Sequence, residues 1–324
     1  MASITRTITL EEHVAFPSLG SDSEFYEAMW KVFPKAREQL WDHGSNRLAD
    51  MDANNVSFQI MSHIPGIGVS NIAGCRGAND EMAAAVQKNP KRLGGFAVLP
   101  MAHPKEAAEE LERAVKHLGL LGALVDNHLE DGTHYDDEKF WPVFEAAERL
   151  DVPIYPHPTP QTQETVEKYY AGNYPPHVAI ALSSGAWGWH ENVGLHFLKL
   201  YSAGVFDRFP KLKLILGHMG EMVPYYLDRA IRLPLFKMKH VNRSLKEVWD
   251  ENVWVTTSSM FSLNPLATLL RNTKIDRIMY SIDYPFEKME LGPRFLEELA
   301  GSGMVTPEEL EMITHKNAER LLKL

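Results

Sequence analysis

Five ionisable side chains stand where apolar runs of this chain end. Glu11 and His13 close ITRTITLEEHV, His157 closes VPIYPHP, His218 follows LKLILG, and Asp283 sits in RIMYSIDYPF. The run Leu212–Leu216 breaks at Gly217 directly before His218 and Glu221, which makes His218 a first candidate for a metal ligand. Glu11, His13, His157 and Asp283 can fill that role without it, as a mixed nitrogen–oxygen set suited to Zn²⁺, Mn²⁺ or a similar divalent ion with positions left for substrate. Residues two apart on a strand share a face, so Glu11 and His13 point together and Glu12 points away. Each residue alone has an ordinary reading: a hydrogen-bonded core histidine, a turn-forming Asp283, a Glu11 salt bridge to lysine. Their joint placement at strand ends carries the functional one. His63, His128, His177 and His190 read as surface residues or residues behind the site. The single cysteine, Cys75, lies outside the set and reads as a passive thiol, which excludes thiolate metal sites.

Strand ends converge only if the strands share a sheet. Apolar strand-like segments are predicted at 4–14, 56–64, 92–101, 122–128, 152–158, 212–219, 253–259 and 277–286. Helical spacing separates most of them, as in 77–88, 104–118, 137–150 and 191–205. Eight such units in 324 residues predict an α/β fold, a (β/α)8 TIM barrel with inserted substrate loops, in one domain over 1–324. A doubly wound sheet is the rival, but no G-x-G-x-x-G follows any strand. Residues 16–46 and 159–190 are irregular, aromatic-rich excursions, the first a candidate lid and the second a candidate substrate loop.

The net charge of −10 arises from 33 basic and 43 acidic residues, with no basic run interleaved with aromatics, so nucleic-acid or anionic-membrane binding is not expected. One cysteine allows no internal disulfide, the first ten residues lack a signal-peptide apolar region, and no apolar stretch approaches a membrane span. A cytoplasmic protein is expected.

At the residues above the sequence resembles the amidohydrolase superfamily, in the aromatic-acid decarboxylase branch related to aminocarboxymuconate semialdehyde decarboxylase. The likeness to γ-resorcylate and 2,3-dihydroxybenzoate decarboxylases runs over nearly the whole chain. LEEH (10–13), GALV (122–125), DVPIYPH (151–157), GVFDRFPKL (204–212), LGHMGE (216–221), WVTTS (254–258) and SIDYPFE (281–287) carry it. The resemblance implies one divalent metal ion (Zn, Mn or Mg) on Glu11, His13, His157 and Asp283, with no organic cofactor. It implies Asp283 as proton donor, and His218 with Glu221 as an acid/base and orienting pair. It also implies substrate contacts from Trp189, from Phe286 and from an Arg229 supplied by a neighbouring subunit, hence a homodimer or homotetramer. The chain departs from the pattern in three places. Several dihydroxybenzoate decarboxylases have Ala where His13 stands, the usual Asn after Ala-Leu-Val is Asp126, and the loop 185–190 is bulkier.

The implied reaction is non-oxidative decarboxylation of an ortho-hydroxylated benzoic acid of the 2,3- or 2,6-dihydroxybenzoate or salicylate type. It gives CO2 and a phenol by protonation of the carboxyl-bearing ring carbon, and can run in reverse. The alternatives are a metal-dependent hydrolase of lactonase or amidase type on the same barrel, and a catalytically silent binding protein.

Overall fold

The computed structural model describes residues 4–324. Eight strands follow one another along it: β1 (Ile8–Val14), β2 (Phe58–His63), β3 (Leu93–Gly95), β4 (Ala123–Asp126), β5 (Pro153–His157), β6 (Lys213–Leu216), β7 (Val253–Thr256) and β8 (Ile278–Met279). Every ladder is parallel, β1-β2-β3 forming one sheet and β4 through β8 another. Two parallel bridges join the sheets, Ala97 to Ala123 and Glu12 to Tyr284. Across them the Ala97 amide donates to the Gly122 carbonyl at 2.8 Å and the His13 amide to the Tyr284 carbonyl at 2.6 Å. These seams close the two sheets into the expected (β/α)8 barrel.

The barrel has two cores. Ile8, Leu10, Ile60, Phe96, Leu124, Tyr155, Ile215, Trp254 and Met279 fill its interior, and Leu321 and Leu322 of the last helix, Asn317–Leu322, pack beneath them. A larger core lies between strands and surrounding helices, including Leu111, Phe144, Phe197, Val248 and Leu296. The ladders are shorter than the predicted strands. The third pairs only over Leu93–Gly95 and the eighth over Ile278–Met279. Beyond Met279 a carboxylate replaces the neighbouring strand: Glu12 accepts from the amides of Ile282 and Tyr284 and from Ser281 Oγ. This side-chain satisfaction of backbone donors is invisible to hydrophobic periodicity.

A β-bulge in β1 decides which residues reach the site. Strict alternation from Ile8 and Leu10, both inside the barrel, would also turn Glu12 inward and Glu11 and His13 outward. The β1–β2 register slips between Thr9 and Glu12, which re-aims the strand end so that Glu11 and His13 face the barrel axis.

Candidate active site

The ends of β1, β5 and β6 and the segment after β8 bring Glu11, His13, His157, His218 and Asp283 together at one end of the barrel. All five are buried. One ligating atom each from Glu11, His13, His157 and Asp283 lies within 4.8 Å of the others. His157 Nε2 is 2.9 Å from Glu11 Oε1, and His13 Nε2 is 3.2 Å from Asp283 Oδ1. Yet Glu11 Oε1, His13 Nε2 and His157 Nε2 make no hydrogen bond, the contacts being misaligned for one. Buried polar atoms left in this state are costly unless something completes them. His157 Nδ1 donates to the Pro158 carbonyl at 2.8 Å, so in the neutral ring the lone pair sits on Nε2 and points into the cluster. Two carboxylates and two imidazoles aimed at one point fit a divalent cation. Burial pushes the His13 imidazole below its ordinary pKa against the opposing pull of Asp283, which keeps a lone pair available.

His218 belongs to a second arrangement. From His218 to Met222 the backbone has positive φ at every residue, so the chain turns left-handed rather than entering a right-handed helix. Three-residue spacing alone would have His218 and Glu221 meet across a helix start. They do meet, with His218 Nδ1 donating to Glu221 Oε1 at 2.7 Å, but the left-handed turn folds the carboxylate back. His218 Nε2 lies 3.4 Å from Glu11 Oε1 and 3.6 Å from Asp283 Oδ2. Burial opposes charge on His218, but Glu11 and Glu221 outweigh it and raise the imidazole well above its ordinary value. Burial also opposes charge on Glu221, yet His218 and His190 hold its carboxyl at about 2. Gly217 permits this crowding, since a Cβ there would sit 2.9 Å from Glu11 Oε2 and 3.1 Å from Glu221 Oε1.

The structure adds residues that the sequence reading left aside. His190 Nδ1 donates to Glu221 Oε2 at 2.8 Å and its Nε2 to the Gly185 carbonyl at 3.0 Å. It therefore braces the carboxylate that braces His218. Tyr155 donates its hydroxyl to Glu11 Oε2, and Ser259 donates to Asp283 Oδ2 at 2.6 Å. Tyr155 was findable, because it stands two residues before His157 on the same strand face. His190 and Ser259 offered no signal, since turns and loop packing bring them in. His63 and His128 are buried rather than at the surface, and His177 is exposed at the cavity edge.

Over the ionisable residues lies a cavity of about 550 Å³. His157, His218 and Asp283 form its polar floor, and Phe25, Tyr26, Met29, Trp189 and Phe286 its walls. The Phe286 ring stands 5.5 Å from the His13 ring. The helix Glu24–Val32, in the first predicted excursion, supplies one wall, and Trp189, in the first turn of the helix Gly188–Ser202, supplies another. Arg229 lies exposed on the helix Val223–Arg232, away from the cavity lining.

A closed parallel barrel with carboxylates and imidazoles on its rim defines a recognised class. The amidohydrolase family model matches residues 46–324, and the chain belongs to that family. It is 46% identical to decarboxylase orsB of Emericella nidulans, over 98% of this chain and 97% of that protein. It is 33% identical to a γ-resorcylate decarboxylase of a Polaromonas species, over 98% of both chains. The crystal structure of a dihydroxybenzoic acid decarboxylase from Polaromonas sp. JS666, with bound manganese and the inhibitor 2-nitroresorcinol, superposes with a TM-score of 0.87. It is 32% identical and covers 99% of this chain and 98% of its own.

Proposed function

We propose that the protein removes CO2, without an oxidant, from an ortho-hydroxylated benzoic acid. The observation that carries this reading is the cavity itself, with aromatic walls above a floor of His157, His218 and Asp283. Flat apolar walls sandwich a ring, and a polar floor takes its carboxylate and neighbouring hydroxyl. Losing CO2 directly would leave an unstabilised aryl carbanion, whereas protonating the carboxyl-bearing carbon first lets the departing CO2 restore aromaticity. Glu11, His13, His157 and Asp283 would hold a divalent ion, which would supply a Lewis acid beside the substrate's oxygens. Asp283 delivers the proton to the ring carbon. Burial would raise its carboxyl, but His13 and His218 hold it ionised at rest, so it must first receive a proton. His218 is placed to give one, with Nε2 3.6 Å from Asp283 Oδ2 and a pKa raised by its carboxylate neighbours. Glu221 fixes the tautomer and orientation of His218 from the other side. Trp189 and Phe286 position the ring.

The test is CO2 release from a panel of hydroxybenzoates, with metal content measured on the same sample. Release from ortho-hydroxylated acids but not from benzoate is expected; hydrolysis of lactones without CO2 release would overturn the reading. We further place Arg229 as a substrate contact supplied by a second copy in a homodimer or homotetramer. Tyr225, Tyr226 and Leu235, exposed at 73%, 58% and 92%, give its face the apolar surface that a partner would cover. Light scattering on wild type and Arg229→Ala checks this, with an oligomer of reduced activity expected for the variant. No helix among the described residues is long and apolar enough to cross a membrane, and a cytoplasmic location is our reading.

A further inference from the structure

The ring cavity does not end at its own walls. Phe25, Ala28, Ile180, Ser184 and Trp189 line a second lobe as well, of about 520 Å³, over β4 and the loop after β5. The ring cavity alone already falls in the roughly 300–1,000 Å³ range of complete small-ligand sites. A single-ring acid gives the second lobe nothing to hold.

The lobe has a built interior. His128 is 4% exposed and its Nε2 has no hydrogen-bond partner. Its Nδ1 donates to the Leu129 carbonyl at 2.7 Å, so in the neutral ring Nε2 is an acceptor. Asp126, the register partner of His157 on the neighbouring strand, adds a buried carboxylate whose Oδ1 accepts from the Gly66 amide at 2.6 Å. Glu130 stands at the outer edge and accepts from Ser70. Among the described residues, no Lys or Arg lines the lobe. Two unpartnered donors line it as well, Gln161 Nε2 within the lobe and Trp189 Nε1 on the wall shared with the ring cavity. Buried acceptors with no cation beside them favour an uncharged hydroxyl, which can donate to His128 and accept from Gln161, over an anion.

We propose that this lobe is a second subsite, which binds an uncharged, hydroxyl-bearing arm of the substrate through His128 Nε2. The inference rests on the decarboxylase reading for the identity of the ring, and it assigns the lobe a specificity of its own. Salicylates carrying a 3-hydroxypropyl arm at ring position 4, 5 or 6 are compared with their propyl and 2-carboxyethyl counterparts on the metal-loaded protein. Binding is followed by quenching of tryptophan fluorescence, and CO2 release gives KM and kcat. At least one hydroxypropyl isomer is expected to bind about fivefold tighter than its propyl analogue, the worth of one neutral hydrogen bond, with the carboxyethyl acid weakest. His128→Phe, which keeps a ring and removes the acceptor, and Val166→Phe, which fills the lobe from its rim, should each erase that preference. Both should leave salicylate binding and turnover unchanged. The proposal is overturned if no isomer outbinds its propyl analogue, or if the preference survives both substitutions. An intact preference without CO2 release from any acid would instead remove the decarboxylase reading and leave the subsite standing.

Discussion

Two histidine–carboxylate clusters meet at the barrel mouth, and they differ in how their nitrogens are satisfied. In the first, Glu11, His13, His157 and Asp283 aim their inner atoms at a shared point, and the Nε2 atoms of both histidines form no hydrogen bond. In the second, His218, Glu221 and His190 bond to one another, and both nitrogens of His190 face acceptors. The second group is also compact enough to surround an ion. Three of its four imidazole nitrogens, however, are committed: Nδ1 of both histidines goes to Glu221 and Nε2 of His190 to the Gly185 carbonyl. Proximity does not separate a metal site from a proton relay; the partnering of each nitrogen does. On this ground we propose that the first cluster would hold a cation and the second would position a proton, with His218 Nε2 facing the first across 3.4 Å to Glu11.

The sharpest way to break this division is at Asp283, where both functions touch. Asp283→Asn is expected to cut CO2 release by about 10⁴-fold while retaining part of the metal, measured by turnover and elemental analysis together. Full activity in that variant would remove Asp283 as the donor. Next come the paired variants His157→Ala and His218→Ala. The first should lose metal and activity in proportion, and the second should stay near stoichiometric in metal while kcat falls about 10²- to 10³-fold. Metal lost in proportion to activity in His218→Ala would return His218 to the ligand set.

His190→Phe should act more weakly, lowering kcat roughly tenfold with metal unchanged, as expected of a residue that orients another. An unchanged kcat would confine the relay to His218 and Glu221. The last effect is on stability rather than on turnover. Glu221 is held at about 2 against an ordinary 4.5, so its carboxylate stabilises the fold fully above 4.5 and progressively less as pH falls towards 2. Wild type should therefore exceed Glu221→Gln by on the order of 3 kcal/mol near neutrality. Denaturant titrations across that range should show the gap closing with acidification; a constant gap would mean that the pairing with His218 and His190 contributes nothing.

How much of this was legible in the chain depended on the range of the cause. The strand-end placement of Glu11, His13, His157, His218 and Asp283 could be read, because apolar runs and their breaks are local. His218 pairs with Glu221, but not through helical spacing. Three-residue spacing suggested a helix start, while five positive-φ residues in a row make a left-handed turn instead. The bulge in β1 was also out of reach. Alternation alone would have sent Glu11 and His13 away from the interior that Ile8 and Leu10 occupy.

The amino-acid sequence by itself determined the barrel, its order of strands and the four residues suited to hold a cation, since hydrophobic period and donor chemistry are properties of short segments. Tertiary structure alone decided the rest. It set the hydroxyl of Tyr155 on a carboxylate 144 residues earlier, His190 on Glu221 across 31 residues, and the acceptor of His128 in a lobe beyond the ring cavity. Those contacts depend on where closure of the barrel brings distant rim segments together, and no local pattern along the chain encodes that distance.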